Sequence, residues 1–365
     1  MESALLHKLQ NIQAGHFSAT VGFDAVVDQV SHVIRSRHPD GTKEYFRSIA
    51  EFAAFLSSKA GLSASLELET VCEKIGGNMA IYANALGNLG VQVHCAGSFG
   101  NPSGTIFGQM NSRCECVSIC EQAFCQALEF DDGKLMMASL DKLQKITWEL
   151  LVQKAGVDRL TDWLRSDSVL ALLNWSELGN ATLLFRMIYR NLLEPYSADK
   201  NKYVFVDISD ASRRRPEELA ELAELLRQFE LRRKVILSVN ENECRLLAGA
   251  LGLGDTLETT EQARLLRKTI GCSCLVLHLR DCAKGFTEER EENCSGYFVE
   301  RPLFSTGGGD NFNAGFSLGL MAEMTLCECL QLGNAVSGFY VRQGRSPGIP
   351  EIIRFLTSEE GQRNA

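Results

Sequence analysis

Three consecutive glycines lead into an acidic residue at the start of a helical pattern in the last fifth of the chain. Gly307, Gly308 and Gly309 precede Asp310, and apolar residues at helical spacing continue to residue 324. Glycines permit conformations in which successive backbone N–H groups converge on one point, and the positive end of a helix attracts the same anion. A carboxylate beside such an anion can accept the proton of an attacking hydroxyl, which is the chemistry of phosphoryl transfer. The alternative is a flexible loop in which Asp310 only caps a helix.

Two further groups of polar residues and glycines lie nearer the N-terminus. Asp24 and Asp28 follow the first predicted strand, and open α/β sheets bind ligands at the carboxyl ends of their strands. Carboxylates suit paired sugar hydroxyls because they accept hydrogen bonds, although aspartates also form ordinary turns. Gly76, Gly77 and Asn78 open a helical pattern, so this turn either lets the backbone approach a ligand or simply caps the helix.

Two further sites in the second half of the chain, one a pair of residues and one a single residue, carry polar side chains of interest. Asn240 and Glu243 follow the apolar stretch VILSV, and as helix cap and third helical residue they match a capping-box arrangement. Asn334 lies in the helical pattern QLGNAVSGFYVRQG, where an asparagine on a helix surface needs no special explanation.

Taken in order along the chain, these motifs resemble the PfkB/ribokinase family of sugar and nucleoside kinases. The signature of that family near the C-terminus has a G-x-G-D core at a helix start, which the GGGD segment matches. The resemblance implies that Asp310 is the general base and that the amides of Gly307, Gly308 and Gly309 hold the transferring phosphate. It also implies that Asp24, Asp28 and the turn of Gly76, Gly77 and Asn78 bind the sugar.

The same resemblance assigns the nucleotide side of the site. Asn240 and Glu243 match the N-x-x-E element of the family, which organises Mg²⁺ and its water around the phosphates. Asn334 lies where the family places a side chain beside the adenine. Lys284 and Gly285 are what remains of the T-x-G-x-x-G segment that contacts the nucleotide. The cofactors implied are therefore ATP and Mg²⁺.

The chain departs from the family pattern at several positions. Phe304 and Ser305 stand where the family has Asp-Thr, which argues against potassium activation, and Arg280 and Cys282 replace the Thr and first Gly of the nucleotide segment. Arg280 either contacts a phosphate or is an ordinary charge in solvent. GFDAVVD and KIGGNMAIYANAL are similar to the ADP-dependent sugar kinases, so ADP remains an alternative donor.

The elements that must position these residues alternate between strands and helices. Short apolar runs predict strands at 18–22, 91–96, 169–174, 203–208, 235–239 and 274–279, and helical patterns lie at 78–89, 216–229, 241–248 and 259–268. This alternation indicates a parallel sheet covered on both faces, and the resemblance implies a ribokinase-like three-layer α/β/α sandwich. We expect one domain over residues 1–365, with lid elements from parts of 24–70 and 100–137.

Composition excludes several other classes of protein. The chain has 37 basic and 46 acidic residues and a net charge of −9, which disfavours nucleic-acid binding. No apolar run is long enough to cross a membrane, and the N-terminus resembles the opening of a helix rather than a secretory signal. The 13 cysteines then indicate free thiols in the cytoplasm. Cys114, Cys116, Cys120 and Cys125 lack the paired spacing of structural zinc sites, so small buried side chains are the simpler interpretation.

These observations predict a kinase that transfers the γ-phosphoryl group of ATP to a hydroxyl of a monosaccharide or sugar phosphate. Two alternatives stay open: an ADP-dependent sugar kinase, and a non-catalytic sensor that binds sugar or nucleotide on the same fold. A dinucleotide-dependent oxidoreductase is disfavoured because the early turn GFDAVVD has a single glycine instead of G-x-G-x-x-G. The expected partners are a sugar and a nucleotide, and a homodimer paired through the lid is compatible with the resemblance.

Overall fold

The computed structural model of the protein describes residues 2–254, 256–300, 303 and 306–358. Phe304 and Ser305, which replace the Asp-Thr pair of the family signature, lie outside the described residues. The strands are β1 (Ser18–Phe23), β2 (Val26–Arg37), β3 (Lys43–Tyr45), β4 (Glu67–Gly76), β5 (Gln92–Gly97), β6 (Cys114–Ser118), β7 (Ala123–Phe130), β8 (Gly133–Ser139), β9 (Val169–Leu172), β10 (Tyr203–Asp207), β11 (Lys234–Val239), β12 (Cys274–His278), β13 (Cys282–Phe286) and β14 (Glu291–Ser295).

Helices separate most of these strands, and short 3-10 turns lie between some of them. The helices are α1 (Glu2–Asn11), α2 (Ile49–Ser58), α3 (Asn78–Asn88), α4 (Trp148–Ala155), α5 (Val157–Ser166), α6 (Ala181–Ile188), α7 (Pro216–Glu230), α8 (Glu241–Ala250), α9 (Thr259–Ile270), α10 (Gly308–Met321), α11 (Leu326–Gln343) and α12 (Ile349–Thr357). The helices predicted at 78–89, 216–229, 241–248 and 259–268 are present, with C-terminal ends that differ by one to two residues, whereas the helix predicted to continue to residue 324 ends at Met321.

The central sheet is mostly parallel. Its strand order within the described residues is β14-β13-β12-β11-β10-β9-β1-β5-β6. The pairs from β12 to β6 are all parallel, and only β13 runs in the opposite direction, because it pairs antiparallel with both β12 and β14 at one edge. All six strands predicted from apolar runs belong to this sheet, which confirms the predicted mostly parallel α/β architecture.

The sheet is buried on both faces because alternate side chains of each strand point to opposite sides. On β9, Leu170 and Leu172 pack into one apolar core, whereas Val169 and Ala171 pack into the other. Helices α4 to α9 cover the first core, and α1, α3, α10, α11 and α12 cover the second. The predicted three-layer α/β/α sandwich is therefore confirmed.

A second, smaller sheet stands at the carboxyl edge of the first. Its order is β3-β2-β7-β8, and β4 also pairs with β2. Helix α2 packs on it through a small apolar cluster, made of Val33, Phe46, Phe52, Leu128 and Phe130. The sheet overlaps the segments 24–70 and 100–137 for which lid elements are expected, although β4 extends to Gly76 and β8 to Ser139. Its role as a lid stays a prediction.

The cysteine group predicted to be structural lies beside the two sheets. Cys114 and Cys116 are on β6, Cys125 is on β7, and Cys120 lies between these strands; every cysteine is a free thiol. The described part of the chain contains no cluster of side chains arranged to hold a metal ion by itself. Every described helix is also too short or too polar to cross a bilayer.

Candidate active site

Two cavities open side by side at the carboxyl ends of the parallel strands. The larger one, of about 560 Å³, lies between the two sheets, and the smaller one, of about 430 Å³, lies against α11. His278, the last residue of β12, and Gly309 line both of them. A ligand that spans the two cavities must therefore pass His278 and Gly309.

The glycine run begins α10 at the junction between the cavities. Gly307 has φ +92°, a left-handed conformation that side chains rarely adopt, and a Cβ on it would lie 2.7 Å from the Tyr340 hydroxyl oxygen. Gly307 and Gly309 line the larger cavity, and Gly308 and Gly309 line the smaller one. The first turn of α10 thus presents backbone N–H groups where the cavities meet, which is the geometry of an anion site.

Asp310 follows in the same turn and lines the larger cavity. Its side chain is buried, and burial together with the carboxylates of Asp207 and Asp24 raises its pKa well above the usual range. A hydrogen bond with the Asn78 side chain acts in the opposite direction. A carboxylate with a raised pKa is a stronger base, so the site favours proton acceptance at this position.

The two glycines before α3 make room for two aspartates. A Cβ on Gly76 would lie 2.4 Å from Cγ of Asp28, and a Cβ on Gly77 would lie 2.8 Å from Oδ2 of Asp24. Gly77 also has φ +85°. The sequence left open whether this turn admits a ligand or only caps the helix. In the structure, both glycines allow aspartate side chains of the protein itself to approach the backbone closely.

The resemblance assigns both Asp24 and Asp28 to sugar binding, but the two residues differ in position. Asp24 is completely buried and does not line either cavity; its carboxylate accepts hydrogen bonds from the backbone N–H of Asn78 (2.8 Å) and Met79 (3.0 Å) and from Asn174 Nδ2 (2.8 Å). Burial raises its pKa to about 6 despite these bonds. Asp24 therefore holds the start of α3, and its predicted contact with a sugar has no support from this geometry.

Asp28 instead lies on the wall of the larger cavity. Burial raises its pKa to about 6, although the charges of Lys74 and Lys134 act to lower it. Asn78, the first residue of α3, lines the same cavity, as does Gly77. Of the five residues predicted to bind a sugar, Asp28, Gly77 and Asn78 line the larger cavity, and Gly76 supports Asp28 from behind.

Asn240 and Glu243 form the capping box expected from their spacing and also line the larger cavity. The Glu243 N–H donates to Asn240 Oδ1 (2.9 Å), and the Asn240 N–H donates to Glu243 Oε2 (2.8 Å). Burial, followed by the charge of Asp207, raises the pKa of Glu243 to about 8. The structural role and a role at the site are therefore compatible.

The larger cavity is strongly acidic. Its carboxylates are Asp28, Glu177, Asp207, Asp210, Glu243 and Asp310, and no lysine or arginine lines it among the described residues. Asp207 accepts hydrogen bonds from the Ser209 N–H (2.9 Å) and from Asn313 Nδ2 (2.7 Å), which ties β10 to α10. Glu177 pairs with Arg213, and the remaining carboxyl groups offer oxygen ligands that suit a divalent cation. Mg²⁺ is commonly bound by one or two carboxylates, waters and substrate phosphates.

Sequence reasoning missed four residues of this region. Asp207 and Asn174 lie at the carboxyl ends of predicted strands and line the larger cavity, so the rule that ligands bind at carboxyl strand ends could have found them. His278 also ends a predicted strand, and its Nε2 has no hydrogen-bond partner among the described residues. Asp210 carries no signal beyond its nearness to Asp207.

The smaller cavity is mainly apolar, with Tyr297, Val299, Phe312 and Val341 on its walls. Asn334 lines it as predicted, but its Nδ2 donates to the carbonyl oxygens of Cys294 and Ser295, both at 3.1 Å. Its amide therefore fixes the end of β14 against α11. The shape and apolar walls suit a flat aromatic base.

Lys284 and Gly285 line neither cavity as the structure describes them. Both belong to β13: Lys284 Nζ donates to Thr260 Oγ1 (2.8 Å), and a Cβ on Gly285 would lie 2.8 Å from Leu326 Cδ1. The structure therefore does not bring these two residues together with the others.

Comparisons with known proteins identify the family to which the chain belongs. The family model described as prokaryotic ketohexokinase matches residues 10–359. A ketohexokinase of Haloferax volcanii is 26% identical over 339 residues, which cover 92% of this chain and 90% of that protein.

Solved structures share the fold. Adenosine kinase from Sinorhizobium meliloti has a TM-score of 0.64 at 19% identity, covering 90% of this chain and 94% of that one. Ribokinase from Thermotoga maritima has a TM-score of 0.62 at 17% identity, covering 94% and 99%. The family match spans both halves of the cleft, and we conclude that the chain belongs to the prokaryotic ketohexokinase family and is an ATP-dependent carbohydrate kinase of the PfkB/ribokinase type.

Proposed function

We propose that the protein transfers the γ-phosphoryl group of ATP to a hydroxyl of a neutral ketohexose, with Asp310 as general base. The observation that carries the proposal is the position of Asp310, buried in the first turn of α10 where the two cavities meet. The name of the Haloferax relative suggests the ketohexose class of acceptor.

In this proposal the sugar occupies the larger cavity and the adenine the smaller one. Asp28 and Asn78 accept and donate hydrogen bonds to the sugar hydroxyls, while Asp310 takes the proton of the hydroxyl that attacks the phosphorus. The backbone N–H groups of Gly307, Gly308 and Gly309 stabilise the negative charge of the transferring phosphoryl group. Asp24 contributes indirectly, because it fixes the turn that carries Asn78.

The charge of the larger cavity favours an uncharged sugar over a sugar phosphate. Six carboxyl groups line it, and a phosphate on the acceptor would be repelled by those that are ionised. The charges of Lys74 and Lys134 act on Asp28 and lower its pKa, and Arg213 pairs with Glu177, but none of the three lines the cavity. Neutral acceptors avoid this repulsion.

The same carboxylates fit Mg²⁺ that arrives with the nucleotide. Asn240 and Glu243 would hold it through water, and Mg²⁺ when bound would neutralise phosphate charge during transfer. Binding of the cation would favour the ionised form of Glu243, whose pKa burial raises to about 8.

A coupled assay tests the proposal. Protein with Mg²⁺ and either ATP or ADP is given neutral ketohexoses, neutral aldohexoses and their phosphates. We expect turnover with ATP and a neutral ketohexose, at a kcat/KM at least about ten-fold above that for sugar phosphates. In Asp310→Asn the kcat should fall about a hundred- to ten-thousand-fold, the usual size of a general-base effect, with nucleotide affinity retained.

Asp162→Asn on the exposed side of α5 provides the matched control for the loss of one carboxylate charge, and it should leave kcat unchanged. Near-normal kcat in Asp310→Asn would remove the assignment of the base. Nucleotide binding without turnover on any sugar would instead favour a sensor, and turnover with ADP alone would favour the ADP-dependent alternative.

A further inference from the structure

Among the residues that the structure describes, one cationic side chain lines the two cavities. Arg280 lines the smaller cavity, two residues after His278 in the turn between β12 and β13. Neither the larger cavity nor the rest of the smaller one contributes a described lysine or arginine. The region that must receive a polyanionic nucleotide thus has a single full positive charge on its protein walls.

The turn that carries Arg280 is held firmly. The Leu279 N–H donates to the Cys282 carbonyl oxygen (2.8 Å), and the Gly296 N–H donates to the Asp281 carbonyl oxygen (2.7 Å). These bonds fix the turn to its own hairpin and to the segment after β14. The backbone of Arg280 is therefore positioned next to the cavity.

Its guanidinium group packs on an aromatic ring instead of pairing with a carboxylate. The Arg280 Cζ lies 4.9 Å from the centre of the Phe298 ring, which also lines the smaller cavity. Phe298 is 42% exposed, and its carbonyl oxygen accepts a hydrogen bond from Arg342 Nη2 (3.2 Å) that anchors this segment to α11. Within the described part of the chain, Arg280 forms no ion pair or hydrogen bond, so its planar donors remain available to an anion.

We infer that Arg280, stacked on Phe298, is the donor-binding cation of this kinase and contacts the α- and β-phosphates of the nucleotide. This inference rests on the proposed function, since it places the adenine against α11 in the smaller cavity. From there the phosphate chain must run past the β12–β13 turn to reach His278 and Gly309 at the junction. Arg280 lies on that path, before the point of transfer, and it balances the acidic larger cavity.

Isothermal titration without sugar tests the inference directly. ATP, ADP, AMP and adenosine are titrated into the wild-type protein, Arg280→Gln and Arg280→Lys. Loss of a charge-assisted contact should weaken ATP and ADP binding about ten- to a hundred-fold in Arg280→Gln, while adenosine affinity stays within about two-fold. Arg280→Lys should give intermediate values, because lysine keeps the charge but loses the planar, bidentate geometry.

Arg159→Gln is the matched control, since Arg159 is exposed on α5 and lines neither cavity. Unchanged ATP affinity in Arg280→Gln, or an equal loss for adenosine and ATP, would overturn the inference while sugar-dependent turnover still supported the proposed function. Failure of the wild-type protein to bind ATP would overturn both. A weaker dependence of ATP affinity on salt in Arg280→Gln than in the control would support the phosphate contact, because salt screens charge pairs.

Discussion

Replacement of Gly77 by alanine tests the claim that this turn exists to admit the Asp24 carboxylate. The added Cβ would lie 2.8 Å from Asp24 Oδ2 and 2.9 Å from the Asp24 carbonyl oxygen, at a residue with φ +85°. Left-handed backbone costs an alanine about 1 to 2 kcal/mol, and overpacking in a tight site costs about 1 to 3 kcal/mol more. Displacement of the carboxylate would also weaken the bond from the Asn78 N–H, which adds about 1.5 to 3 kcal/mol.

Gly156, which also precedes a helix, provides the matched control for the backbone effect. It has φ +82° and ψ 136°, against φ +85° and ψ 132° at Gly77, and an added Cβ would meet nothing within 4 Å. The loss of unfolded-state entropy on Gly→Ala substitution, which stabilises by about 0.4 to 1 kcal/mol, is shared by both variants. The difference between Gly77→Ala and Gly156→Ala therefore isolates the contact with Asp24, and we expect about 2.5 to 6 kcal/mol.

Urea unfolding followed by circular dichroism at pH 7 would measure the free energy of unfolding of both variants and of the wild type. Gly77→Ala should also raise the KM for the sugar, because Asn78 follows the altered residue on the cavity wall. A difference below about 0.5 kcal/mol, the usual range of surface substitutions, would refute the role assigned to this glycine.

Two further predictions concern the same carboxylates. Without nucleotide or Mg²⁺, the free energy of unfolding should fall by about 1 kcal/mol for each of Asp24 and Asp28 between pH 5 and pH 7. Their pKa values of about 6 exceed the ordinary 3.8, so the native state binds more protons than the unfolded state and loses stability as pH rises through 6. Urea titrations that show equal or greater stability at pH 7 than at pH 5 would contradict this. Gly76→Ala should displace the Asp28 carboxylate, because the new Cβ would lie 2.4 Å from the Asp28 Cγ. The KM for the sugar should then rise at least about ten-fold, while the Kd for ATP stays constant. A parallel loss of ATP affinity in titrations would count against the separation of the two cavities.

The local motifs could be predicted well because their chemistry is written in neighbouring residues. Alternating apolar runs and helical patterns identified six of the seven described strands that pair in parallel and several of the helices between them, and the glycine run before Asp310 predicted an anion site at a helix start. Asn240 and Glu243 formed the capping box that their spacing indicates. These features depend on backbone geometry within one turn or one strand, which the sequence determines directly.

The partners across the fold could not be predicted in the same way. Asp24 and Asp28 look equivalent in the sequence. In the fold, Asp24 is buried and its carboxylate accepts three hydrogen bonds from residues far along the chain, whereas Asp28 lines the larger cavity. The Phe298 ring under Arg280, and the Thr260 hydroxyl that accepts a bond from Lys284, likewise come from distant segments.

The sequence by itself thus determined which elements form and that Asp310 follows a glycine run at the start of a helix. The tertiary structure decided which polar groups reach the cavities and which serve the turn behind them. The physical reason is that strand and helix formation follows local periodicity, whereas burial and hydrogen bonding of a side chain depend on what the fold packs against it.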